Sequence, residues 1–393
     1  MQSHSAKAGE AFLGSRRVSV PTTAGASRAG EAPSTKRVAF FHQNDVFSRQ
    51  GGIERYLATL LACADGRAAL VSAAVTRPVE EYFRVREYGS PRLPQWVRYL
   101  AGLFAQRREI AGFLRERQVA VLEFSRPEYL LAGWMFKGRR VVTIHGTGPS
   151  PQNRAHYLLH HLCCFLLPIF ADRVQVVGRD PSGLPGVVQK LLGRRVTFIE
   201  AWYDDRFSPA PLPDLNHSPV RLFYAGRIAP QKNPELLYAI IRRLAEDAPG
   251  LFEFRYFGSD YDEFVEAGLG ALVADKGFLD AAALAEAIRE CHVGLLCSGY
   301  GEGSPFIVIE TLACGRPFVL SPLPTLVKAY AGLEGISIAR GYNVEDFVNE
   351  LVKLRDEMLQ SRIDPAKIAA RVADRSQSQA TRRLLDSLMD LAR

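Results

Sequence analysis

Glu302-Gly-Ser-Pro-Phe-Ile-Val-Ile-Glu310, continuing through Thr311-Leu-Ala-Cys-Gly-Arg-Pro317, is the stretch on which the reading turns. It follows the apolar run Val293 to Cys297, so a strand hands over to a helix here. Ser304 is expected as the N-cap and Pro305 as the first helical residue, where a missing N–H costs nothing. The amides of Phe306 and Ile307 are then helix-end donors, and with the helix dipole they suit a phosphate. Gly303 permits close backbone approach. Glu310 lies five residues beyond Pro305, about 8 Å along the axis, the span from a diphosphate to a ribose. Each carboxylate accepts two hydrogen bonds at once and so suits a vicinal diol. Acidic residues near helix starts also stabilise helices by themselves, an alternative that stands for Glu302. Glu310 instead interrupts Phe306–Ile309 and Leu312–Cys314, where an unpaired buried carboxylate is costly.

Working outward, short apolar runs alternate with helical patterns, which predicts parallel sheets built from β-α-β units. Strands are expected at 37–41, 69–75, 119–124, 140–145, 173–177 and 196–199, with helices near 52–64, 96–117, 153–168 and 183–192. Four prolines between Ser208 and Pro219 mark a stiff linker. Beyond it the pattern restarts, with strands near 220–225, 252–257, 293–297, 317–320 and 336–338 and helices near 234–246, 281–290, 305–314 and 344–358. The chain therefore divides into a tail without apolar periodicity (1–35), an α/β domain (36–207), the linker (208–219), a second α/β domain (220–375) and a last helix (376–393) expected to cross back to the first domain. Two such domains enclose a cleft at the carboxyl ends of their strands.

The 302–317 segment resembles the E-x7-E signature of retaining glycosyltransferases with the GT-B fold, family 4. In that family the first glutamate meets the donor sugar and the second the ribose of a nucleotide diphosphate sugar, which the resemblance assigns to Glu302 and Glu310. Leu222-Phe-Tyr-Ala-Gly226-Arg227-Ile-Ala-Pro-Gln-Lys232-Asn233 is a strand, a glycine turn and two cations, a set that can neutralise a leaving diphosphate. It resembles the family's G-R-x4-K element, with Asn233 where glycine is frequent. Gly51-Gly52-Ile53-Glu54-Arg55 resembles the N-terminal G-G-x-E motif, in which Gly52 lets donor phosphate or acceptor approach the backbone. His145, ending Val141-Val-Thr-Ile-His145, resembles the cleft histidine beside the transferred sugar. Phe198 to Phe207 resembles the stretch before the linker, with Glu200 and Ala201 in place of asparagine and glycine. Val273 to Val293 resembles the base-binding region, with His292 where aspartate is common. The resemblance spans about residues 38–390. It implies retention at the anomeric carbon, a nucleotide-sugar donor, a glycan or lipid-linked acceptor and a place in cell-surface polysaccharide or glycolipid synthesis. Two alternatives remain: a nucleotide-sugar epimerase of the same fold, and a catalytically silent sugar-nucleotide binding subunit.

Composition agrees with this and narrows it. The 393 residues are 47% hydrophobic and 23% charged, as in a water-soluble globular protein of two domains. The six cysteines form no C-x-x-C pair and read as small buried hydrophobes. No Asp-x-Asp metal site stands out and no zinc-like spacing occurs, so neither metal nor cofactor is expected. No signal peptide or membrane span is apparent; Leu162 to Ala171, the longest apolar candidate, reads as an interior helix end. Cytoplasmic placement is expected. Net charge is +7, yet residues 1–200 hold 28 Lys/Arg against 15 Asp/Glu. Such asymmetry fits an anionic partner, either a membrane surface or a lipid-linked phosphate, or else diffuse solvated charge. No nucleic-acid recognition motif accompanies it. Trp96, Tyr99, Leu100, Leu103 and Phe104, near Arg98, Arg107 and Arg108, form a helical face that either packs on the first sheet or docks at an anionic membrane.

Overall fold

The computed structural model describes residues 36–47, 52–145, 154–216 and 218–392. The tail expected at 1–35, Gly51 and the Gly146–Gly148 turn lie outside them. Runs such as Val38-Ala-Phe-Phe41 show no alternation, which suits strands covered on both faces, and they assemble into two parallel sheets. The first contains β1 (Arg37–His42), β2 (Ala68–Ser72), β3 (Tyr82–Arg84), β4 (Val119–Phe124), β5 (Arg139–His145), β6 (Arg173–Val177) and β7 (Val196–Ile199), in the order β3-β2-β1-β4-β5-β6-β7. The second contains β8 (Val220–Ala225), β9 (Phe252–Phe257), β10 (Val273–Asp275), β11 (Val293–Leu296), β12 (Phe318–Leu320) and β13 (Ile336–Ile338), in the order β10-β9-β8-β11-β12-β13. The order reverses between β1 and β4 and between β8 and β11. Loops leaving those strand ends diverge to opposite faces and open the crevice in which such sheets hold ligands.

One face of the first sheet packs on helices Gln95–Ala105, Arg107–Glu116, Arg154–Phe170 and Gly186–Leu192, burying Tyr99, Leu103, Cys164 and Val188. The other face takes helix Gly52–Ala62 and the last helix, Gln377–Asp390, whose Leu384, Leu385 and Leu388 meet Val38, Phe40 and Val121. The second sheet has its own core around Phe223, Leu237, Ile309 and Leu351.

Residues 208–219 contain no helix or strand among the described positions, and two side chains of the second domain hold the segment. Arg316 is fully buried and donates to the Ala210 and Pro211 carbonyls at 2.7 and 2.8 Å. His292 accepts the Arg221 amide at Nδ1 (2.8 Å) and donates from Nε2 to the Pro213 carbonyl (3.2 Å). Burial lowers its pKa to about 4, and the neutral ring meets both bonds. His292, expected in a base-binding stretch, is thus a clamp on the linker.

Several sequence expectations shift. The helix expected over 96–117 breaks at Gln106, whose buried side-chain amide donates to the carbonyls of Gly102 (3.2 Å) and Arg86 (2.9 Å). These bonds anchor the break against residues 85–86. Tyr99 and Leu103 of this helix lie wholly inside, so its apolar face packs on the sheet. Leu162 to Ala171, read as an interior helix end, lies up to Phe170 within helix Arg154–Phe170, with Pro168 inside the helix and Leu162, Phe165 and Ile169 exposed. β3, β10 and the short helices Tyr261–Glu266 and Pro324–Tyr330 were not expected, being too brief to show a period. Five of the six cysteines are buried, Cys63 is partly so, and all are free.

Candidate active site

A cavity of about 790 Å³ opens between the carboxyl ends of the two sheets and is lined from both. It collects His145, Gly52, Glu54 and Arg55 from the first domain and Gly226, Arg227, Lys232, Glu302–Ile307 and Glu310 from the second. The residues expected from the sequence to bind donor or take part in transfer therefore reach one space, while His292 and Asn233 do not line it.

The turn after β8 is fixed before any side chain acts. Gly226 sits at φ +136°, a conformation open to glycine, and its carbonyl accepts the Tyr256 hydroxyl at 3.0 Å. The Tyr224 hydroxyl donates to the Arg227 carbonyl (2.9 Å), and the Ile228 amide to Asp260 Oδ2 (2.8 Å). Asp260-Tyr261-Asp262 has Asp-x-Asp spacing, but Asp260 is occupied with this turn. Among the described residues no three His, Cys, Asp or Glu side chains converge as a metal-ligand set. Arg227 is exposed at the cavity wall. Asn233, just past Lys232, has φ +54° and ψ +61°, the left-handed geometry that asparagine tolerates best after glycine. That accounts for asparagine at this position.

Glu302 is 5% exposed and one of its oxygens, Oε1, gathers three donors. Lys232 Nζ donates at 2.5 Å, Ser298 Oγ at 2.7 Å and Gln231 Nε2 at 3.3 Å. The cation expected on donor phosphate is therefore paired here with the carboxylate expected on donor sugar. Sequence reasoning missed Ser298, just past the apolar run Val293–Cys297, and Gln231, inside the G-R-x4-K segment.

The helix start differs from expectation by one residue. Pro305 is the N-cap, extended at φ −69° and ψ 125°, and the helix runs Phe306–Ala313 without a side-chain cap. The Ser304 hydroxyl accepts the Ala201 amide at 2.9 Å instead, tying the helix start to the stretch after β7. Phe306 and Ile307 still present the helix-end amides to the cavity. Gly303 presses against the first domain: a β-carbon on Gly178, itself at φ +102°, would lie 2.6 Å from the Gly303 carbonyl oxygen.

Glu310 is 1% exposed and accepts from Arg55 Nη2 of the opposite domain. The Arg55 guanidinium also lies 4.6 Å from the centre of the Phe306 ring. A carboxylate inside an apolar helix needed a partner, and the sequence could not name one 255 positions away.

On the first-domain side, Glu54 accepts from Asn44 Nδ2 (2.7 Å) and pairs with His42 Nε2 (3.4 Å), while His42 Nδ1 meets Ser125 Oγ (2.8 Å). Burial pushes the Glu54 carboxyl up, but the bonds from His42 and Asn44 outweigh it and hold the pKa at about 2. Gly52 opens its helix with free space where a side chain would stand. His145 packs edge-on to Tyr56, ring centres 5.2 Å apart, and its Nε2 is buried without a hydrogen-bond partner. Burial, then repulsion from His42, lowers its pKa to about 3, so the ring is neutral. On β4, burial lifts Glu123 to about 7, against a smaller lowering by a hydrogen bond with Thr143.

Residues 219–357 match the family model described as glycosyl transferases group 1. Curated relatives include the D-inositol 3-phosphate glycosyltransferases of Stackebrandtia nassauensis, 31% identical over 151 residues (34% of this chain, 33% of the relative), and of Thermomonospora curvata, 26% identical over 202 residues (47% and 46%). The matches span from a third to under half of those relatives' length. Among solved structures, sucrose-phosphate synthase of Thermosynechococcus elongatus superposes with a TM-score of 0.69 at 16% identity, covering 91% of this chain and 99% of that one. Anabaena HepE, solved with UDP and glucose, gives 0.67 at 14% identity, covering 90% and 99%. At these identities the structural likeness establishes the fold. Glu302, Glu310, Arg227 and Lys232 fall inside the matched family segment; His145, Gly52 and Arg55 fall outside it.

Proposed function

We propose that this chain, whose residues 219–357 match the group 1 glycosyl transferase model and whose fold is GT-B-like, moves a sugar from a nucleotide diphosphate sugar to a glycan or lipid-linked acceptor. The observation that carries the reading is the convergence in one cavity of the Glu302–Lys232 pair, Arg227, a helix N-terminus and the unpartnered Nε2 of His145. Such a set suits a ligand with a diphosphate at one end and hydroxyls at the other.

In this reading the diphosphate lies over the amides of Phe306 and Ile307, beside Gly303, Ser304 and Pro305. Arg227 and Lys232 stabilise the charge that develops on it as the glycosidic bond breaks. Gly226 and Gly52 allow backbone approach from the two sides. Glu310 binds the ribose, exchanging or sharing its bond to Arg55, and Glu302 holds the transferred sugar through its remaining hydrogen-bonding capacity. His145 offers its neutral Nε2 to a sugar hydroxyl. Because cations and amides carry the leaving-group charge, transfer runs without metal or cofactor. Attack from the face of departure retains the anomeric configuration. The acceptor belongs to polysaccharide or glycolipid synthesis at the inner face of a membrane, which the chain contacts peripherally; no helix among the described residues is long and apolar enough to cross one.

The test is release of nucleoside diphosphate by the purified chain, compared with folded Glu302→Ala and Lys232→Ala variants and with EDTA present. The reading expects both variants to be nearly inactive and EDTA to have little effect. Near-normal turnover in both variants removes the site assignment, and strict metal dependence contradicts the charge argument. An altered donor formed without acceptor points to an epimerase.

A further inference from the structure

Helix Arg154–Phe170 is apolar around most of its circumference, yet only one side of it is covered. Cys164 and Leu167 face the first sheet, and Cys163 is buried beside them. Leu158, Leu162, Phe165 and Ile169, spaced i, i+4, i+7 and i+11, form a stripe that is 67, 61, 48 and 72% exposed. The adjoining helix Gly186–Leu192 adds Val187 and Leu191, 53 and 62% exposed. Scattered apolar residues on a surface need no explanation, but a continuous stripe of this kind marks a docking face.

The rim identifies what docks. Arg154, Lys190 and Arg194 are exposed and form no ion pair among the described residues. Between residues 130 and 195 the only acidic residues are Asp172 and Asp180. Asp172 is bound to Arg139 and Asp180 to Lys328. A second copy meeting this face about a two-fold axis would set the same cations against one another. An apolar stripe with cationic edges instead suits the interface of an anionic bilayer, where the side chains enter the acyl boundary and the cations meet headgroups.

We propose that helix Arg154–Phe170, with helix Gly186–Leu192, is the surface by which the chain lies on an anionic lipid bilayer. The helix follows β5, the strand that ends in His145, so docking brings the first-domain wall of the cleft near the membrane surface. As an account of where the acceptor is met, this rests on the transferase reading; its test does not, because vesicle binding and nucleotide release are measured separately.

The experiment is flotation of the full chain with phosphatidylcholine vesicles, with and without phosphatidylglycerol. The expected result is flotation with anionic vesicles only, reduced about tenfold or more by L162Q/I169Q and by K190E/R194E, and weakened by salt. The exposed Phe104, on helix Gln95–Ala105, supplies the control: F104Q should float like the unaltered chain. All these positions lie outside the cleft, so nucleotide release without vesicles should stay unchanged. The proposal is overturned by failure to float with anionic vesicles, by flotation that L162Q/I169Q leaves intact, or by a dimer in solution that L162Q/I169Q dissociates. A chain that releases nucleotide but ignores vesicles overturns this surface alone; one that floats but releases none overturns the transferase reading alone.

Discussion

The two walls of the cleft handle polarity differently. On the second-domain wall every buried charge has a partner: Glu302 gathers Lys232, Ser298 and Gln231, and Glu310 takes Arg55 from across the cleft. On the first-domain wall Glu54 and Arg55 are paired as well, but the buried His145 Nε2 has no hydrogen-bond partner among the described residues and the ring is held neutral. A wall of paired charges is organised in advance for a charged ligand, and disturbing it is costly. A neutral ring with an unpaired nitrogen, as at His145, adapts to a hydroxyl and tolerates substitution more readily. The proposed function divides the labour along this difference, with the donor on the second domain and the acceptor, together with the far end of the sugar, on the first.

Several substitutions can break that division. Lys232→Ala should have the largest effect, lowering turnover by about 10²–10³-fold, the scale for one preorganised charge-stabilising group. His145→Ala should cost about tenfold less than this. Equal losses in steady-state assays would erase the contrast between the walls.

Glu123, fully buried on β4 of the first domain, adds a test through pH. Its folded pKa is about 7 against 4.5 for the free group, so the folded state holds its proton more tightly. Stability from this group is full below about 4.5, falls as pH rises to about 7 and is flat above, a loss of about 3 kcal/mol. His145, with its folded pKa lowered to about 3, acts oppositely and loses stability as pH falls below about 6.5. Melting curves of the unaltered chain and Glu123→Gln isolate the first effect: the variant should gain relative stability from pH 5 to pH 8. Curves that stay parallel would show that Glu123 is not protonated in the fold.

Arg55→Ala leaves Glu310 buried and unpaired and should cost about 2 kcal/mol, less than the full value for a buried pair because Arg55 is 37% exposed. If Glu310 binds ribose, a nucleoside diphosphate should restore much of the lost melting temperature; failure to do so separates Glu310 from the donor. Asn233→Gly should have the smallest effect, within about 1 kcal/mol, because the left-handed backbone suits either residue. A larger loss would mean that the asparagine side chain itself matters.

Legibility in the sequence followed the range of the interactions. The strands and most long helices are visible as apolar runs and periods, and the E-x7-E and G-R-x4-K segments are local, so Glu302, Glu310, Arg227 and Lys232 could be named before any fold was known. Long-range partners were not visible: nothing near Arg55 signals Glu310, and nothing near Ala201 signals Ser304. His292 and Arg316 looked like parts of a binding region and a helix end, yet both hold the linker through backbone carbonyls that carry no side-chain signature. Leu162 to Ala171 was read as interior because apolar sequence alone does not distinguish a core from a docking face. Only the exposure of the individual side chains does.

Calorimetric titration with nucleoside diphosphates carrying each of the common bases is the most direct test of the central claim, that the second-domain wall is a preformed diphosphate site. At least one diphosphate should bind the unaltered chain, its monophosphate should bind more weakly, and Arg227→Ala and Lys232→Ala should each weaken the diphosphate about tenfold or more while the fold persists. Absence of binding by any diphosphate, or equal binding by both variants, would contradict the claim.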